Sequence, residues 1–129
     1  MDDLEELTPQ GAVGYYTFRA DSYFYEGHFK DHPVTPGVIL TECCAQIGLV
    51  SLGIYLLGEK ESLKDVRMGM SSAQMEFLKP VLPGERVKVS SELVYFRFQK
   101  LKCKVTMHNQ HNQLVCKGVL AGMIGTSDE

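Results

Sequence analysis

The four cysteines form no C-x-x-C pair, no run of basic residues is interleaved with aromatics, and no basic segment leads into a short apolar stretch at the start of the chain. The first absence argues against a zinc ribbon or a disulfide framework, so Cys43, Cys44, Cys103 and Cys116 read as reduced core residues. The second, with a net charge of −3, argues against nucleic acid as a partner. The third, with Asp2, Asp3, Glu5 and Glu6 at the beginning, leads to the expectation of a cytoplasmic protein without an export signal. Repeats and linkers are also missing. A chain of 129 residues with 44% hydrophobic and 22% charged content then reads as one domain, 1–129, long enough to bury a core.

Chemistry concentrates between residues 27 and 46. Gly27-His28-Phe29 is followed by Pro33-Val34-Thr35-Pro36-Gly37-Val38, then by Glu42 and Gln46. Pro33 and Pro36 each fix φ and push the preceding residue towards extended backbone, so residues 28–36 are expected to form an ordered, non-helical loop that can hold His28 in place. His28 and His32 have the spacing of a metal pair, but Pro33 follows directly and the loop is not helical, so no metal is expected. From Gly37 to Leu57 the chain is almost wholly apolar and long enough for a helix. It is also long enough to raise a membrane span, which Glu42 and Gln46 inside it disfavour. A helix apolar nearly all round equally suits the centre of a wrapped sheet.

Glu42 and Gln46 are four apart and share a helix face. On so apolar a helix both are expected to be withdrawn from water, which would hold the Glu42 carboxyl protonated as a proton donor, with His28 poised as a base. The helix start supplies N–H groups and a positive dipole end for a developing oxyanion, and Gly37 there admits close approach of a substrate.

The remaining chain reads as strands. Segments 13–20 and 21–26 are rich in Tyr and Phe; 67–78 is a weaker candidate; 85–99, 100–108 and 114–124 are clear, with Leu101, Cys103, Val105 and Met107 alternating against lysines and Thr106. The polar cluster 108–113 marks a turn, with His108 and His111 solvated, and 125–129 a polar tail. Residues 76–129 carry eight Lys/Arg against five Asp/Glu, and residues 1–75 five against eleven. Lys79, Arg86, Lys88, Arg97, Lys100, Lys102 and Lys104 are therefore candidates for a basic face, or for an ordinary solvated one.

The pattern G-H-F-x-x-x-P-x-x-P-G-V, with Glu42 fourteen positions after His28, resembles the β-hydroxyacyl-[acyl-carrier-protein] dehydratases of the FabZ type. Phe77-Leu78-Lys79-Pro80-Val81-Leu82-Pro83-Gly84-Glu85 resembles a second block of the same family. The resemblance implies an α+β hotdog fold, an antiparallel sheet wrapped around one long central helix, with active sites built between two subunits and dimers that often gather as trimers of dimers. It implies dehydration of a 3-hydroxyacyl thioester on an acyl carrier protein, without cofactor. His28 would be the base, and Glu42 of the other subunit the acid. The Gly37 N–H would polarise the thioester carbonyl, the Val34 carbonyl would accept from His28, and Gln46 would orient Glu42. The acidic carrier could dock on the basic face.

Three departures affect the substrate fit: Lys30-Asp31-His32 and Cys43-Cys44 replace the usual residues, and segment 67–74 has none of the aromatics often placed there as a gate. The alternatives are a hotdog thioesterase, a dehydratase-isomerase or a non-catalytic acyl-binding subunit. Isomerising relatives usually carry Asp at the Glu42 position, and hydrolases usually lack the Gly-His-Phe element.

Overall fold

In the computed structural model of the chain, residues 3–19, 35–57 and 66–126 are described. Their strands are β1 (Asp3–Thr8), β2 (Gly11–Thr17), β3 (Val66–Phe77), β4 (Arg86–Arg97), β5 (Lys100–His108) and β6 (Leu114–Thr126). All pairings are antiparallel, and the order across the sheet is β1-β2-β4-β5-β6-β3. The helix begins as α1 (Gly37–Cys44), passes through a wider π-helical stretch, Ala45–Val50, and ends as α2 (Ser51–Leu57). The backbone stays right-handed helical at both junctions, at Cys44, Ala45 and Ser51, so this is one helix with a swollen middle. In that middle the Ser51 N–H reaches back five residues to the Gln46 carbonyl, which also accepts from the Ser51 hydroxyl.

The sheet is built by two-residue alternation. Leu101, Cys103, Val105 and Met107 of β5 are buried, as are Val87 and Val89 of β4 and Leu120 and Ile124 of β6. The expected alternation of β5 holds. Onto this apolar face the helix lays Leu40, Cys43, Cys44, Ile47, Leu49 and Leu52, all buried. The stretch 37–56, long and apolar enough to cross a membrane, is thus the core helix of the sheet.

Contact is tightest at Gly48. A methyl group there would lie 2.9 Å from Val105 Cγ1 and 3.0 Å from Ser91 Cβ, closer than packed carbons tolerate, so only glycine lets the helix sit this low. Cys103 Sγ also approaches the Gly48 carbonyl, at 3.7 Å. Four residues earlier, the Cys44 thiol hydrogen-bonds the Cys116 sulfur of β6; that bond and burial push Cys44 far above the ordinary thiol range. Burial alone raises Cys103 to about 12. All four cysteines are free and buried.

The sequence reading differs from the structure in two places, and a third, weaker reading holds. β1 goes unread because its run of acidic side chains hides a weak alternation; it pairs with β2 through a bulge between Leu4 and Glu6. Segment 67–78, a weak strand candidate by composition, is indeed a strand, Val66–Phe77, where pairing with β6 overrides its low β-propensity. The expected tail from residue 125 instead continues β6 to Thr126, opposite Val66. The strand expected over 21–26 lies outside the described residues.

The β4–β5 hairpin turns on Phe98 and Gln99, both left-handed at φ 52° and 63°, between paired Arg97 and Lys100. Two-residue hairpin turns demand this backbone, but Asn or Gly carry it at less cost than Phe, and the Phe98 ring is 91% exposed. Phe98→Asn is expected to raise stability by about 0.5–1 kcal/mol, measured by urea denaturation. Gly48→Val should lower it by about 2 kcal/mol or more in the same assay, since a branched side chain must lift the helix off the sheet.

Candidate active site

Pro36 starts the helix with extended backbone (φ −60°, ψ 146°) and without a side-chain cap. Its carbonyl accepts from the Ile39 and Leu40 N–H groups at 3.0 and 3.1 Å. Among the described residues the Gly37 and Val38 N–H groups have no such partner, and the first turn contains no acidic side chain. Among the described residues nothing compensates the positive end of the helix, an arrangement able to stabilise negative charge placed there.

The segment joining β3 to β4 fixes where that end points. The Thr35 N–H donates to the fully buried Val81 carbonyl at 2.8 Å. Val81 is held in turn by a turn at Pro83-Gly84, where Gly84 takes φ +90° and the Glu85 carboxylate accepts from the Leu82 N–H at 2.9 Å. Phe18 clamps the other side, donating to the Glu85 carbonyl and accepting from the Gly84 N–H. The second sequence block is therefore a strut for the first. Thr35 and Val81, which carry its contact, went unassigned in the sequence; the spacing of the two proline-rich blocks was the available signal.

Around the helix start lies an open groove of about 410 Å³, lined by Thr35, Gly37, Leu40, Phe77, Leu78, Lys79 and Pro80. Of the seven basic residues singled out in the sequence, Lys79 alone lines it. The others sit on β4 and β5, where their charges are partly engaged. Arg97 and Lys102 lie over the Tyr95 ring at 4.7 and 6.0 Å, Arg86 over Tyr15 at 4.8 Å, and Lys88 is 3.9 Å from Glu5. That places those six apart from the groove lining and supports the solvated-face reading for them.

Among the predicted site residues, Gly37 is at the helix start, and Glu42 and Gln46 follow on the face turned away from the sheet. His28 and Val34 lie outside the described residues. Glu42 and Gln46 are both exposed in the single chain, in line with Val38, which is 74% exposed. This corrects the expectation that the helix itself withdraws them from water: residues 40, 44 and 47 take the sheet side, so positions 38, 42 and 46 must face outward. Phe77 is the aromatic groove residue to which sequence reasoning gave no role. No cluster of three or more His, Cys, Asp or Glu able to hold a metal occurs among the described residues.

With fold and groove in view, comparison with known proteins decides the family. A model of the FabA-like domain matches residues 1–119. The chain belongs to the FabA-like family. It is 30% identical over 129 residues to the 3-hydroxyacyl-[acyl-carrier-protein] dehydratase FabZ of Clostridium perfringens, covering 97% of this chain and 86% of that enzyme. It is 33% identical over 98 residues to FabZ of Geotalea uraniireducens, covering 75% of this chain and 66% of that enzyme, just under two thirds of its length. Solved structures agree on the hotdog fold. A Streptococcus mutans protein bound to acetyl-CoA superposes with a TM-score of 0.68 at 14% identity, over 96% of this chain and 88% of that one. A thioesterase superfamily member of Thermus thermophilus gives 0.69 at 17%, over 99% and 88%. The chain is a FabZ-like member of the FabA-like family with the hotdog fold.

Because the Glu85 carboxylate holds the turn that presents Val81 to Thr35, Glu85→Ala should cost about 0.5–1.5 kcal/mol in urea denaturation. Glu85→Gln, which keeps an acceptor oxygen, should restore most of it.

Proposed function

We propose that the protein dehydrates 3-hydroxyacyl thioesters carried on an acyl carrier protein to trans-2-enoyl thioesters. The observation that carries this reading is the outward placement of Glu42, five residues beyond the Gly37 N–H, on the free face of the core helix of a FabA-like chain. An acid exposed in one chain works as a proton donor near neutral pH only if something covers it, and a second subunit laid over Val38, Glu42 and Gln46 would do so. In that assembly His28 of one subunit, its tautomer set by the Val34 carbonyl, removes the α-proton. The Gly37 N–H takes up the negative charge developing on the thioester oxygen. Glu42 of the other subunit, oriented by Gln46, protonates the departing hydroxyl, and water leaves. Neither metal nor organic cofactor is needed, because the thioester itself acidifies the α-carbon. A homodimer is the smallest unit that completes the site, and the exposed Val38 gives it apolar surface to bury.

The test is to incubate the purified protein with 3-hydroxyacyl and 2-enoyl thioesters and follow the conjugated enoyl absorbance. Reversible appearance and loss is expected, whereas release of free thiol would mean hydrolysis and overturn the reading. His28→Ala and Glu42→Gln should each lower kcat by about 10³-fold or more with the fold intact. After subunit exchange, an equal mixture of the two inactive variants should recover about a quarter of wild-type activity, since half the dimers hold one complete site of two. No recovery would refute the shared site.

A further inference from the structure

Among the described residues the groove at the helix start has one aromatic wall, and its position is tightly constrained. Phe77 ends β3, and the two N–H groups that follow it, of Leu78 and Lys79, both donate to the Val115 carbonyl, at 2.8 and 3.1 Å. Its backbone is also paired with Cys116. The base of the side chain is thereby fixed. From there the ring reaches the first helical turn: a methyl group on Gly37 would meet Phe77 Cζ, Cε2 and Cε1 at 3.1, 3.3 and 3.4 Å. Cβ atoms of a helix point outward and towards its N-terminus, so the ring stands beside the unpartnered N–H groups of the first turn. It still keeps 48% of its surface open, an exposure a core phenylalanine does not have.

Ordinary packing explains the contact with Gly37 but not the half-open ring. A ring placed so has one face for the glycine and another for a ligand. Residues 69–76 of β3, Gly69-Met70-Ser71-Ser72-Ala73-Gln74-Met75-Glu76, supply no other aromatic from that strand. Resting on the dehydratase reading, we infer that Phe77 is a positioning residue. Its ring holds the thioester flat against the Gly37 N–H and keeps water from that hydrogen bond, so that the carbonyl is aligned as charge develops. The effect belongs to the transition state: a misaligned substrate still binds through its chain and carrier, but it reacts more slowly.

This gives a split that a merely structural residue would not produce. Steady-state dehydration kinetics of wild type, Phe77→Leu, Phe77→Tyr and Gly37→Ala decide it, with melting curves to confirm folding. Phe77→Leu should lower kcat about tenfold while KM stays within about threefold, and Phe77→Tyr, which keeps the ring, should stay within about threefold of wild type in both. Gly37→Ala, whose methyl must displace the ring, should show the same kcat loss, and combining it with Phe77→Leu should cost less than the product of the two losses. A Phe77→Leu kcat within about twofold of wild type, a loss confined to KM, or losses that multiply in the double variant would overturn the inference while the dehydratase reading stands. An inert wild type would overturn the dehydratase reading itself, and this inference with it. If Phe77→Leu fails to fold, Gly37→Ala alone decides: an unchanged kcat overturns the role and a selective kcat loss supports it.

Discussion

Everything in this structure depends on how low the core helix lies on the sheet. A helix packed against a sheet normally stands off by the height of its side chains. Here Gly48 removes that height at the crossing over Ser91 and Val105, and the helix drops until neighbouring apolar side chains close around it. The wider coil of residues 45–50 is where this happens. Once the sheet-facing stripe is committed, the opposite stripe has no choice of direction, and Val38, Glu42 and Gln46 face away from the core. The packing that stabilises the fold and the exposure that the proposed chemistry would use are two sides of one helix.

The second constraint is the clamp at the helix start. The Thr35 N–H on the Val81 carbonyl links two segments more than forty residues apart, and the Pro83-Gly84 turn, with Glu85 and Phe18, makes that carbonyl a fixed point. Because Pro36 offers no side-chain cap and no acid lies in the first turn, the helix arrives at its groove with its positive end unused. An aromatic wall beside it and a lysine complete the described lining of that groove.

Much of this was legible in the residues. An apolar run of about twenty residues after a proline-rich segment has few alternatives to a buried helix. The alternation of β5 is a local property and survived intact. Other features were not legible, for identifiable reasons. β1 is acidic and bulged, so its apolar positions do not fall on one phase. β3 is poor in β-branched residues and owes its length to β6, a partner forty to sixty positions away. Glu42 misled because an apolar surrounding sequence was equated with an apolar surrounding space, although a helix apolar nearly all round still has a side that its own sheet does not reach.

The sequence by itself determined the inventory: a His and a Glu at family spacing, a helix long enough to carry Gly37, Glu42 and Gln46, and a second proline-glycine block of then unspecified purpose. Only the tertiary structure decided which helix face meets the sheet, that the second block braces the first through Thr35 and Val81, and that Phe77 comes to rest on Gly37. The reason is range. Propensity, periodicity and capping act over a few residues and are written locally, whereas the direction of a side chain in space depends on which distant strand fills the other side of the helix.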